Sequence, residues 1–254
     1  MRRKSEFNEH ANFGGRQFEY YNQLEKYFDE SKDTTLDKLG NFPKYVTRQT
    51  LTNFLAKYEI FKKIQNVNGS IIECGVLFGG GLLSFAHFSS IFEPLNYSRK
   101  IIGFDTFSGF PSLSIKDKSQ NPNSQMKKGG YKVNSFEDLK KCVELYDKNR
   151  FIEQIPKIEL VKGNVEKTIP KYLKDNPHLI VSLLYLDLDL YEPTKIALRN
   201  FLPRMPKGAI IAFDEINNEQ WPGETLALLD EIGIKNLRIK RFEFAPLLSY
   251  AVLE

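Results

Sequence analysis

Cysteine is nearly absent from this sequence, with Cys74 and Cys142 the only two in 254 residues. They form no CxxC pair, so neither a disulfide scaffold nor a zinc site is expected. Histidine is as scarce, and His10, His87 and His178 stand isolated. His87 falls inside a helical apolar pattern, which reads as structural. There is no long cluster of lysine and arginine, and the net charge is only +4. That excludes the basic footprint of a nucleic-acid binder, while a weak excess suits an anionic small molecule as well as solubility. No apolar run is long enough to span a membrane, and the longest ones end in carboxylates. The start MRRKSEFNEHANFGG is basic but has no apolar core behind it, so no secretory signal is read there. Cytoplasmic residence is the expectation. Internal repeats are lacking too, as is the GxGxxG spacing of the dinucleotide fingerprint.

What is present is a globular composition, 41% hydrophobic and 27% charged. It is enough for one sizeable domain, or for one domain with an added arm. Strand-like runs alternate with helical patterns. The runs are SIIECG (70–75), KIIGFDT (100–106), KIELVKG (157–163), LIVSLLYLD (179–187) and GAIIAFDE (208–215). LRIKRFEF (237–244) and LLSYAVLE (247–254) read as a closing antiparallel pair. Helical spacing predicts helices over 45–64, 81–92, 135–147, 193–201 and 224–232. Such alternation implies an α/β fold with a parallel sheet covered on both faces. Residues 1–44 are polar, aromatic and partly helical, and form an arm ahead of the main domain at 45–254. Aromatic residues in that arm hint at a homo-oligomer. Residues 112–134 hold few apolar residues and a Gly129–Gly130 pair, and this long loop inside an ordered fold reads as a lid or as a surface excursion.

Ligands of open α/β sheets bind beyond the carboxyl ends of the strands. Four strand ends here carry polar signals: Glu73 to Gly75, Asp105, Asp187 with Asp189, and Asp214 with Glu215. Gly75, Gly79, Gly80 and Gly81 lie between a strand and a helix, where glycine permits tight turns and close approach of backbone N–H groups to a ligand. Asp105 ends the next strand, where a carboxylate can accept hydrogen bonds from two ribose hydroxyls or cap a helix. Glycine loop and second-strand acid together point to a nucleoside-containing cofactor.

Alternate strand residues share a face, so Asp187 and Asp189 point together if the strand runs that far. If the next strand is its neighbour, Asp214 and Glu215 join them, with no cationic partner in view. Their repulsion would raise their pKa values. A divalent cation relieves this, and oxygen ligands suit magnesium, manganese or calcium. The plainer reading makes Asp189 a helix cap and Asp214 a turn residue. Lys127, Lys128, Lys132 and Arg48 suit phosphate oxygens, though for any single one solvated charge is the favoured reading. Trp221 fits stacking on a ligand or core packing.

The succession ECGVxxGGG, GFDTFSGFP, YLDLDLYEPT and AFDE resembles the macrocin-type O-methyltransferases, over about Tyr45 to Glu224. FDEINNEQWPGE is most similar to the subgroup acting on nucleotide-linked deoxysugars, the rhamnose 3-O-methyltransferases. The resemblance implies a class I Rossmann-like fold: a mostly parallel seven-stranded sheet, helices on both faces and an antiparallel last strand. It implies S-adenosylmethionine (SAM), magnesium or another divalent cation, and a sugar or nucleotide-sugar acceptor. By this resemblance Glu73, Gly75, Gly79, Gly80 and Gly81 would line the methionine end of SAM, Asp105 would hold the ribose, Phe107 and Ser108 would lie near the adenosine, and Asn164 by the adenine. Asp187 would serve both cofactor and metal, Asp214 and Glu215 would complete the metal site, and Asp189 would be the general base. Many members have two aspartates where this chain has Asp214-Glu215. Catechol-type magnesium methyltransferases often place a lysine near this strand end; Asp189 and Leu190 occupy that neighbourhood here. A catechol or diol O-methyltransferase, and a non-catalytic SAM-binding module, are the competing readings.

Overall fold

The computed structural model describes residues 15–254. His10 and the basic start of the chain lie outside the described residues. The chain separates into two compact units, divided between Asn53 and Phe54.

The described part of the first unit holds α1 (Gly15–Glu30), α2 (Thr35–Gly40) and the start of α3 (Arg48–Ile64). α1 buries none of its residues. Thr34 starts α2 through a capping box with Asp37, which satisfies two helix-end donors at once. Asp33 ties the following turn together, accepting from Lys44 Nζ at 2.6 Å and from the Tyr45 hydroxyl at 2.5 Å. Those donors pull its carboxyl down to about 2.

The second unit is built on a seven-stranded sheet. In chain order its strands are β1 (Ser70–Cys74), β2 (Ile101–Asp105), β3 (Ile158–Lys162), β4 (Val181–Leu186), β5 (Ile210–Phe213), β6 (Lys240–Arg241) and β7 (Ser249–Val252). They lie in the order β3-β2-β1-β4-β5-β7-β6. The first five are parallel, and β7 closes antiparallel on β5 with β6 outside it. The expected closing pair is therefore present. Strand order reverses between β1 and β4, which places the ligand crevice over their carboxyl ends.

The interleaved helices are α4 (Gly80–Phe92), α5 (Phe136–Asp147), α6 (Val165–Asp175), α7 (Tyr191–Phe201) and α8 (Gly223–Glu231). The period of two along each strand divides the core into two layers. Ile71, Ile101, Leu183, Tyr185 and Ile210 face Ile60, Phe61, Leu82, Phe85 and Leu139 of α3, α4 and α5. Ile72, Ile102, Leu184 and Ile211 face Ile169, Leu198, Phe201 and Leu228 of α6, α7 and α8. Both faces being buried explains why β1 and β4 are apolar almost throughout. Cys74 lies in the second layer, fully buried with its thiol pushed up by desolvation, while Cys142 is exposed on α5.

Some helices depart from the sequence reading, and α3 starts at Arg48 rather than at Tyr45. α7 begins at Tyr191, so Pro193 stands inside its first turn. α6 falls outside the expected helices, because Pro170 interrupts its pattern. A strongly amphipathic face carries the helix across that proline, with Val165, Ile169 and Leu173 buried. Among the described residues no helix is long and apolar enough to cross a membrane.

Candidate active site

The four loops that follow β1, β2, β4 and β5 each hold a non-glycine residue at positive φ: Leu77 (50°), Phe107 (52°), Asp189 (60°) and Asn217 (63°). Left-handed backbone at such residues costs about 1–3 kcal/mol each and persists where the surroundings over-determine it, above all at ligand sites. All four lie on the same end of the sheet, around the reversal of strand order.

The glycine loop is built by close approach. At Gly75 (φ +93°) a Cβ would run into the Asp187 carbonyl oxygen. Only glycine lets the ends of β1 and β4 pass this closely. Asp187 N–H donates to the Cys74 carbonyl at 2.9 Å across the same gap. Gly79 (φ +84°) caps α4, and a Cβ there would meet Leu139. A Cβ on Gly81 would collide with Glu73 Oε1, so this glycine opens the first turn of α4 to the Glu73 carboxylate. Gly80 faces open space.

Asp105 is not a helix cap. Its Oδ2 accepts from the N–H groups of Val76 (2.7 Å) and Leu77 (2.9 Å), and Oδ1 from Phe107 (2.6 Å). It thus pins the glycine loop to the end of β2. A carboxylate offers about four acceptor positions, so three amides leave room for one hydroxyl rather than two. Phe107 is buried against Phe136, and Ser108 beside it is exposed. Asn164 caps α6, its Oδ1 accepting from Glu166 N–H at 3.0 Å. Ser135, just ahead of α5, donates to the Leu77 carbonyl and steadies the glycine loop from the far side.

The acids at the tips of β4 and β5 meet in a different way from the expected one. β4 ends at Leu186, and the chain curls at Asp189 instead of running on extended, so strand alternation does not align Asp187 with Asp189. The charge of Asp189 nonetheless acts on Asp187, as does that of Asp214. Desolvation and these two like charges push the Asp187 carboxyl well up. Asp214 Oδ1 accepts from the hydroxyl of fully buried Tyr185 at 2.9 Å. Glu215 accepts from the Asn218 side-chain amide. Leu190, not Asp189, is the N-cap of α7. Trp221 is 2% exposed and packs against Phe110 and Tyr131, which settles it as a packing residue.

Two participants, Lys57 and Glu224, escape the sequence reading, and a third, Glu73, gains detail. Glu73 reads there as a strand-end acid lining the methionine end of SAM. It is 2% exposed, its Oε2 has no hydrogen-bond partner, and burial drives it to about 8. Lys57 of α3 corrects the expectation that no cation is near. Its Nζ lies 4.8 Å from the Tyr185 ring centroid, and its charge favours ionisation of both Glu73 and Asp187. Helical periodicity cannot show that Lys57 points at the tip of a strand that comes later in the chain. Glu224, wholly buried in the first turn of α8, clamps two loops, accepting from Leu188 N–H (3.0 Å) and Glu215 N–H (3.2 Å). Burial raises it to about 8 as well.

For a metal, the donor set is all oxygen, as a hard divalent cation requires, and the acids crowd each other with one lysine to offset them. Among the described residues no three Asp, Glu, His or Cys side chains yet converge on a ligating point. The donor chemistry fits a cation, while the side chains as they stand form no ligating cluster.

This sheet order, with its antiparallel closing strands and a glycine loop at the reversal point, defines a class I methyltransferase fold. The chain belongs to the macrocin-O-methyltransferase (TylF) family, whose model matches residues 15–226, and it is an O-methyltransferase. The calicheamicin methyltransferase CalS11 is 31% identical over 99% of both chains, with a TM-score of 0.90. Its apo form, described as a TDP-rhamnose 3'-O-methyltransferase of calicheamicin biosynthesis, is 32% identical over 95% of this chain and 96% of that one, with a TM-score of 0.82. The O-methyltransferase NovP, 18% identical over 80% of both chains with a TM-score of 0.61, shares the fold. No curated protein sequence matches.

Proposed function

We propose that this enzyme methylates a hydroxyl of a nucleotide-linked deoxysugar, with SAM as methyl donor and a divalent cation at the acid cluster. The similarity to a TDP-rhamnose 3'-O-methyltransferase over nearly the whole chain supports the acceptor class. The observation that carries the chemistry is the placing of Asp187, hydrogen-bonded through its N–H to the end of β1, within electrostatic reach of Asp189 and Asp214, with Lys57 as counter-charge.

In this reading Glu73, Gly75 and Gly79 to Gly81 hold the amino-acid end of SAM. Glu73 and Lys57 meet at the first turn of α4, and the ammonium of a bound amino acid would draw the Glu73 carboxyl into its charged form, which suits a zwitterion. Asp105 takes one ribose hydroxyl with the acceptor position its three amides leave. Phe107, Ser108 and Asn164 border the nucleoside. Asp187, Asp214 and Glu215 would hold the cation, with Asp187 also facing the cofactor. When bound, SAM supplies the methyl group, and the cation lowers the pKa of the acceptor hydroxyl and fixes its position. Asp189, in the turn past the strand tip, then accepts the hydroxyl proton. Holding acceptor and donor in line is the remaining contribution of the fold. This division of labour explains two acids one residue apart.

The test is incubation with SAM, magnesium and a panel of nucleotide sugars and catechols, read by mass spectrometry. Transfer of one methyl group to a nucleotide deoxysugar is expected. Methylation of catechols alone would overturn the acceptor class. Asp189→Asn should lower turnover by about 10²–10⁴-fold, the usual contribution of a general base, with SAM affinity unchanged. An equal loss of affinity would refute its assignment.

A further inference from the structure

The long loop after β2 reaches the turn that carries Asp189, and we infer that Asp117 in this loop is a positioning residue for Asp189. This rests on the reading of Asp189 as general base.

Asp117 is only 2% exposed and is the one buried charged residue of the loop at 112–134. Its Oδ2 accepts from Ser114 N–H at 2.6 Å, closing a short 3-10 turn over Ile115–Asp117. Its Oδ1 accepts from Tyr191 N–H at 2.7 Å. Tyr191 is the first residue of α7, and the N-cap, Leu190, has no side-chain oxygen to offer. From a distant part of the chain, Asp117 therefore supplies the acceptor that a helix start requires. Its negative charge at that helix N-terminus is favourable as well.

Gly223, the first residue of α8, shows how tightly this junction is drawn. A Cβ there would lie 2.5 Å from Tyr191 N, 2.6 Å from the Asp189 carbonyl oxygen and 2.7 Å from Asp117 Oδ1. Loop, catalytic turn and helix start all meet in the space the missing side chain leaves. Lys116 adds a second grip, its ammonium reaching the Tyr191 hydroxyl at 3.0 Å and the Asp230 carboxylate. Tyr191 is thus held at its amide and at its hydroxyl by consecutive loop residues.

Between the two strand-end loops, the turn at 188–191 is fixed through three of its amides. Leu188 N–H goes to Glu224, Leu190 N–H to the Leu188 carbonyl at 2.6 Å, and Tyr191 N–H to Asp117. These bonds hold Asp189 at φ +60°. Releasing the third frees the residue two positions on, and the turn can relax. An error of about 1 Å in a reacting group is enough to cost up to 10²-fold in rate. The cofactor loop lies on β1 and β2, outside this junction, so the effect falls on the chemical step.

The experiment measures kcat for the full-length enzyme, and the dissociation constant of S-adenosylhomocysteine by calorimetry, in Asp117→Ala, Asp117→Asn, Gly223→Ala and Asp189→Asn. Asp117→Ala should lose about 10-fold or more in kcat with the native dissociation constant. Asp117→Asn keeps one oxygen for Tyr191 N–H while giving up the acceptor for Ser114 N–H, and should recover part of that loss, which a general loss of stability would not do. Gly223→Ala should show the same split as Asp117→Ala, from the opposite side of the turn. Native kcat in Asp117→Ala, or joint loss of kcat and affinity without recovery in Asp117→Asn, overturns the inference. If Asp117→Ala does not fold, native kcat in Gly223→Ala overturns it. An active Asp189→Asn overturns the base assignment and the inference with it; an inactive Asp189→Asn beside a fully active Asp117→Ala overturns the inference alone.

Discussion

The two ends of the sheet bury charge in opposite ways. At the amino end, Arg99 is 3% exposed and surrounded by acceptors. It donates to Gly69 O (2.9 Å), Ser182 Oγ (2.5 Å), Ile64 O (3.1 Å) and Val67 O (2.9 Å). Its Nε lies 2.7 Å from Glu93 Oε1 as an ion pair, though not aligned as a hydrogen bond. At the carboxyl end, Glu73, Asp187 and Glu224 are all pushed toward their neutral forms, and Lys57 is the cation that acts on the first two. A charge matched by its own protein is architecture. The acids at the carboxyl end are only partly offset by the protein, and that is where the proposed cofactor and cation would bind.

The sharpest way to break this contrast is at Arg99. Arg99→Ala should cost about 3–5 kcal/mol, because Glu93 and a ring of carbonyls lose their partner in a buried setting. Denaturant melts would show it, and a loss below about 1 kcal/mol would mean that the arginine is not the staple its contacts suggest. At the other end, Asp187→Ala should leave the fold intact yet lower activity about 100-fold or more, since it removes a proposed cation ligand. Excess chelator should do the same to the native enzyme, and full activity in chelator would dissolve the metal assignment.

A smaller effect separates ligand binding from stability. Glu73 is raised from 4.5 to about 8 by burial. Below about pH 4.5 it is neutral in the folded and the unfolded chain alike. Between 4.5 and 8 the unfolded chain releases the proton and the folded one keeps it, so stability falls as pH rises through this window. Glu73→Gln removes the titration and should gain in stability on the native chain as the pH rises from about 4 to about 8, while binding SAM more weakly. Parallel pH-stability curves for the two proteins would show that Glu73 is ionised in the fold.

Much of this is legible in the sequence because strand ends punctuate themselves. The runs ending in Glu73-Cys-Gly75, Asp105, Asp187 and Asp214 each stop where the apolar pattern breaks, and the structure ends its strands there. The sheet follows from alternation with helices. α6 does not, since Pro170 masks a helix whose amphipathic face outweighs it. The turn at Asp189 is hidden as well: period-two reasoning extends a strand until told otherwise, and what stops β4 is a set of tertiary bonds from Glu224 and Asp117. Lys57 and Glu224 are invisible for the same reason. Each acts on a loop far away in the chain, and no local pattern records the direction of a side chain.

The two thiols, finally, offer a practical handle. With Cys74 sealed inside the core and Cys142 open on α5, a maleimide dye added to the unaltered protein would load at one address. The labelled helix begins beside Ser135, which holds the glycine loop. A fluorescence titration could then follow occupancy of that loop in real time, with no engineering of the chain.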